Sequence, residues 1–314
     1  MAPSRIDVHH HYVPDFYRDA VVMSGGDPSG WFIPDWTPQS DQDINDKFGI
    51  STTILSLTAP GACILNDPQE RANLARKANE YAAKLRDEQP KKYGFLAALP
   101  SLIDTDLALN EVAHAFDNLK ADGITLFTRY GPDNHYLGHP DFKPIWTELN
   151  RRSAVILVHP THPVDINQVS GLPQPVIRYP FETTTTALDM IHANVVRDNA
   201  NCKIILSHGG GMLPYIIGRP ASILPQTDEE HQAFMDQARS FYFDTAVAGS
   251  ENVLKIIEDF AKPGHVLYGS DTPYANNHII DYHTKGLDAF KFKNPNLREE
   301  INRTNAEALF PRLK

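Results

Sequence analysis

Five polar residues close apolar, strand-like stretches scattered along the 314-residue chain: His9 and His11 in RIDVHHHY, His159 in VILVHP, His208 in IILSHGGG and Asp271 in VLYGSD. Alternate residues of a strand face the same side, so His9 and His11 point together while His10 points away. Two imidazoles on one face, a third imidazole and one carboxylate make a site for a borderline divalent ion, zinc first and manganese as the alternative. A lone histidine ending an apolar strand is more often a hydrogen-bonded core residue. The joint placement at strand ends is what points to metal chemistry.

Those ends converge only if the strands belong to one closed sheet. Eight strand candidates, 5–11, 52–58, 94–99, 124–128, 155–159, 203–207, 241–245 and 266–269, alternate with helix candidates at 67–89, 104–121, 142–152, 184–199, 230–239, 250–261 and 297–309. Eight alternations predict an α/β fold, a (β/α)8 TIM barrel with long inserted loops at the face where strands end and active sites are built. The expected organisation is one domain over 1–314, with 12–50 as a lid-like insertion, 160–183 as a second long loop and the stretch from 276 as a third. Tyr12, Trp31, Phe32, Trp36, Phe181 and Tyr274 fall where they could wall an aromatic ring, although packing is the commoner use of such residues.

Composition narrows the class of partner. A net charge of −10 argues against nucleic acid, which is bound by Lys and Arg displacing counterions. No apolar run is long enough to span a bilayer, and MAPSRIDVHHH lacks the layout of a secretory signal, so a cytoplasmic enzyme is expected, without a membrane partner. Cys63 and Cys202 are the only cysteines and neither sits at metal-motif spacing. The glycines at 209–211 lack a following Lys-Ser/Thr and any GxGxxG, which disfavours nucleotide binding.

With these motifs in view, the HxH ending strand one, the His ending strand five, the HGGG after strand six and the GSD ending strand eight resemble the amidohydrolase superfamily. More narrowly, HGGGMLPYIIGR resembles the aminocarboxymuconate-semialdehyde decarboxylase branch of non-oxidative aromatic acid decarboxylases, over essentially the full chain. The resemblance implies that His9, His11, His159 and Asp271 ligate the metal and that His208 works in proton transfer. It also implies that Arg219 reaches a substrate carboxylate in the neighbouring subunit of a homodimer. Binuclear members carry a modified lysine at the end of strand four; Thr128 and Arg129 stand there, implying a single ion. The semialdehyde-processing members carry an arginine before strand two that WTPQSDQDINDKFG lacks, which favours a small substrate with one carboxylate.

The implied reaction is release of CO2 from a small ortho-hydroxy aromatic acid. Asp271 would be the acid towards the ring carbon and His208 its proton partner, with Phe181 and Tyr274 as ring contacts. Salicylate and 6-methylsalicylate fit the single-carboxylate argument, the latter better because the chain resembles the fungal members. The same donors would serve a hydrolase of a lactone, ester or amide equally well. A non-catalytic metal-stabilised scaffold is a third reading, disfavoured because the donor set is complete.

Overall fold

The computed structural model describes residues 4–164 and 171–313. Eight parallel strands follow one another in chain order around a single sheet: β1 (Arg5–Tyr12), β2 (Ile50–Leu57), β3 (Tyr93–Ala97), β4 (Gly123–Phe127), β5 (Val155–His159), β6 (Lys203–Leu206), β7 (Tyr242–Asp244) and β8 (Val266–Leu267). The ring closes between last and first strand: Val8 N–H donates to Tyr268 O at 3.0 Å, Asp271 N–H to His9 O at 2.9 Å and His11 N–H to Thr272 O at 2.7 Å. This is the expected (β/α)8 barrel, and its strands are buried on both faces, which explains their nearly continuous apolar runs.

The barrel interior is filled by Ile6, Val8, Ile54, Leu96, Leu157, Ile205 and Leu267. Ile6 and Val8 would, by simple alternation, carry His10 inward. A register shift prevents this. Asp7 pairs with Thr53 but His10 pairs with Leu55, so β1 gains one residue on β2 through a β-bulge. Beyond it His9 and His11 occupy the layer above the apolar plug, and His10 joins Asp7 on the outer face.

On that face His10 lies fully buried between two carboxylates, Nδ1 at 2.9 Å from Asp7 Oδ2 and Nε2 at 2.6 Å from Asp41 Oδ1. Asp41 also accepts from Trp36 Nε1 (3.1 Å), Tyr93 Oη (2.9 Å) and Asn45 Nδ2 (3.0 Å). Burial opposes charge on His10, yet Asp41 and then Asp7 outweigh it and push the imidazole up to about 10.

Helices lie where strand-like runs give way to three- and four-residue apolar spacing, with differences at the prolines. The segment 12–50 is more regular than expected: it holds α1 (Asp15–Met23) and α2 (Pro38–Phe48), the latter opened by a Thr37–Ser40 capping box. The helix expected at 184–199 begins ten residues earlier, as Gln174–His192. It runs through Pro180, which has no N–H to give the Val176 carbonyl, while the Pro180 carbonyl accepts from Thr184 Oγ1 at 2.7 Å. The stretch from 276 is also helical at once, Asn276 capping Asn277–Ala289 through His278 and Ile279 N–H. No helix of the described residues is long and apolar enough to cross a membrane.

Candidate metal centre and cavity

At the barrel mouth His9, His11, His159, His208 and Asp271 meet. His9 Nε2 and His11 Nε2 lie 3.1 Å apart, and Asp271 Oδ1 is 3.4 Å from the first and 3.2 Å from the second. The His159 ring centroid is 5.1 Å from that of His9 and 4.8 Å from that of His11. His9, His159, His208 and Asp271 each offer a donor atom within 4.8 Å of the others. The two carboxylate oxygens divide the group: Oδ1 faces His9 and His11, whereas Oδ2 faces His208 Nε2 at 3.6 Å.

The far side of each ring fixes its tautomer. His9 Nδ1 meets Asp244 Oδ2 at 2.8 Å, His11 Nδ1 the Ser56 carbonyl at 3.3 Å and His159 Nδ1 the Pro160 carbonyl at 2.7 Å. With Nδ1–H donating outward, the Nε2 lone pairs converge on one another and on a carboxylate. Three ring nitrogens and a carboxylate oriented in this way fit a divalent cation.

Burial opposes a charged His9, but Asp244 and then Asp271 outweigh it and push that imidazole up to about 10. Burial and the charges of His11 and His9 pull His159 well below its ordinary value, and burial lowers His11. Asp271 is partly buried, which works against its charge, yet His11, His208 and His9 hold it well below the usual carboxylate range. A cation on His9 Nε2 takes the place of the proton held there, since metal and proton compete for the same lone pair.

Backbone strain marks the same residues. His208 has φ 56° and Asp271 φ 64°, the left-handed region that L-residues rarely adopt outside functional sites. Asp244 holds the first, accepting from His208 N–H at 2.9 Å through Oδ1 while Oδ2 orients His9. At Gly211 a Cβ would sit 2.3 Å from the Pro180 carbonyl, so the glycine run after His208 is what lets Gln174–His192 approach the mouth.

Above the centre lies a cavity of about 420 Å³ with His159, His208 and Asp271 in its lining. Its walls include Trp31, Tyr179, Pro180, Tyr274, Val247 and Ile279, and among the described residues no lysine or arginine lines it. Tyr274 lies edge-on to His11 at 5.6 Å, and Phe32 stands behind it at 6.4 Å.

The other expected ring contacts are placed elsewhere. Phe181 is 45% exposed and does not line the cavity; on its helix Tyr179 is the residue that turns inward. Tyr12 and Trp36 are core residues, Tyr12 Oη donating to Ala78 O at 3.1 Å and Trp36 to Asp41. Arg219 is exposed on the short helix Gly218–Ile223 and does not line this cavity. Sequence reasoning missed Asp244, although the YFDT that ends strand seven is an acid at a strand terminus like the GSD of strand eight. It also missed Asp7 and Tyr179.

A three-histidine, one-carboxylate centre at the mouth of a closed eight-stranded barrel defines a metal-dependent enzyme of the amidohydrolase kind. The chain belongs to the amidohydrolase family, whose model matches residues 6–312. It is 48% identical to a 6-methylsalicylic acid decarboxylase of Aspergillus aculeatus over 99% of this chain and 97% of that one. It is likewise 48% identical to a 6-methylsalicylic acid decarboxylase of Penicillium expansum, over 99% and 97%. A crystal structure of an amidohydrolase II superposes with a TM-score of 0.87 at 30% identity, covering 98% of this chain and 100% of that one.

Proposed function

We propose that this protein is a metal-dependent non-oxidative decarboxylase that releases CO2 from a small ortho-hydroxy aromatic acid, 6-methylsalicylate before salicylate. The observation that carries the reading is the divided carboxylate of Asp271, one oxygen towards His9 and His11 and the other towards His208, in a cavity that no lysine or arginine of the described residues lines. The two 48% identical relatives named for 6-methylsalicylic acid support the same substrate class. Val247, Ala248, Val253 and Ile279 give the cavity an apolar wall suited to a ring methyl.

His9, His11, His159 and Asp271 would hold one divalent ion, zinc first and manganese as the alternative. Bound there, it supplies a Lewis acid for the adjacent phenol and carboxylate oxygens of such an acid. The protein's own residues carry the proton. Asp271 is held anionic at rest by its histidine neighbours, so the proton reaches Oδ2 from the His208 side. From Oδ2 it passes to the ring carbon that bears the carboxylate. The C–C bond then breaks, its electron pair restores the aromatic ring and CO2 departs, so that hydrogen replaces the carboxyl group. Tyr179, Tyr274 and Trp31 exclude water and orient the ring.

The working unit proposed is a cytoplasmic homodimer in which Arg219 of one copy reaches the substrate carboxylate bound by the other. Around Arg219, Tyr215 is 79% exposed and Ile223 60%, an apolar surface suited to a second copy.

The test is CO2 release from 6-methylsalicylate and salicylate before and after chelation, with sedimentation of the wild-type protein and Arg219→Ala. Chelation-sensitive release supports the reading; no release from either acid by metal-loaded protein overturns it.

A further inference from the structure

Besides the residues of the metal centre, one ionisable carboxyl among the described residues lines the cavity: Asp27, on the loop between α1 and α2. Ser29, fully buried next to it, donates its N–H to Asp27 Oδ1 at 2.7 Å. That loop is tied to the start of the helix bearing Tyr179, Gln174 N–H donating to Ser29 O at 3.3 Å. Asp27 is therefore fixed in the wall. Tyr179 and Tyr274 line the cavity with Asp27, and burial first, then Asp27 and Asp271, raises both phenols. Asp27, Tyr179, Tyr274 and the metal centre's Asp271 thus line one and the same cavity. Burial also raises the Asp27 carboxyl against its Ser29 hydrogen bonds. No lysine or arginine among the described lining residues offsets it.

We propose that Asp27 is a specificity-determining residue, which discriminates against aromatic acids carrying a second carboxylate by placing a like charge in the wall of the cavity that takes the ring. The inference rests on the aromatic-acid reading of this cavity. Two carboxylates sharing a desolvated space oppose one another's ionisation, so a diacid binds only by taking up a proton or displacing the loop. A hydroxyl or methyl group at the same ring position meets no such opposition. The absent arginine before strand two explains only why a second carboxylate is not attracted, whereas Asp27 supplies a repulsive element.

The experiment is calorimetric binding of salicylate and 4-hydroxyisophthalate to the metal-loaded protein, wild type, Asp27→Asn and Asp27→Ser, with CO2 release measured in parallel. The wild type is expected to prefer salicylate by at least about tenfold, the size of a one-unit interaction between ionised groups. Both variants should shrink that preference to within about threefold, and lowering the pH should shrink it in the wild type alone. An unchanged preference in both variants overturns the proposal, as does failure of the wild type to discriminate. A shifted preference without CO2 release from any acid sustains Asp27 and overturns the decarboxylase reading. CO2 release from salicylate with an unchanged preference does the reverse, and binding of neither acid overturns both.

Discussion

Strand β1 carries three consecutive histidines, and its two faces use them in opposite ways. On the inner face His9 and His11 turn their Nε2 atoms towards each other and towards Asp271, at the mouth of a cavity open to a ligand. On the outer face His10 is itself the cation, clamped by Asp7 and Asp41 and closed off from solvent. The inner pair is the one proposed to hold an ion, whereas the outer histidine completes a network that the chain contains entire. The comparison teaches that residue type decides little here; the direction set by one bulge and the sign of the surroundings decide the role.

The sharpest way to break the comparison is at the inner face. Asp271→Asn removes the carboxyl that faces both the ion and His208, and CO2 release is expected to fall by about 10²–10⁴-fold. Metal analysis should find part of the ion retained and circular dichroism should find the barrel intact. Full activity in this variant would falsify the proton assignment.

At the outer face the expected loss is stability. His10→Phe leaves two buried carboxylates without their cation, a change expected to cost about 3–5 kcal/mol. Denaturant or thermal melts of the metal-loaded protein would measure it. Whatever fraction remains folded should still bind metal, and a melt no lower than wild type would remove the distinction between the faces.

Asp244→Asn lies between the two cases, because Asp244 orients His9 and holds His208 without touching the ion site itself. Metal affinity should weaken by about 10–100-fold, as for other residues behind a ligand. A competitive chelator titration reads this directly. Tyr93→Phe, which deletes one of four donors to Asp41, is the mildest: a loss of about 1.5–3 kcal/mol is the upper range for a bond to a charged group, with CO2 release unchanged.

Much of this was legible in the sequence wherever one residue sufficed. Strand ends at His159 and His208 could be read because apolar runs stop there, and five groups meeting at one mouth follow from barrel geometry alone. The bulge in β1 was not legible. IDVHHH reads equally well with either parity, and the apolar plug formed by Ile6 and Val8 is known only once β2 is paired beside it.

Asp244, Asp7 and Asp41 stayed hidden for a related reason. An acidic residue at a strand end or on a helix names no partner until the histidine opposite is known. Phe181 and Tyr179 differ by two positions on a helix whose start the prolines at 173, 175 and 180 disguise, so the sequence does not tell which of the two lines the cavity. The helix at Pro38–Phe48 did announce itself, through Thr37, Pro38 and Ser40, but against a background of irregular composition.

The seam of the barrel has a consequence for how the protein comes into being. His9 and Asp271 are partners across the closure between β1 and a last strand of only two paired residues, joined by Asp271 N–H to His9 O and by the bridge of His10 to Thr272. A chain emerging from the ribosome displays its first histidines long before the residues that complete the ring exist. Until Asp271 is synthesised the nascent chain is an open sheet with an exposed edge and a half-formed ion site. Closing the ring and bringing His9 to Asp271 are therefore one and the same contact, made between the two ends of the barrel.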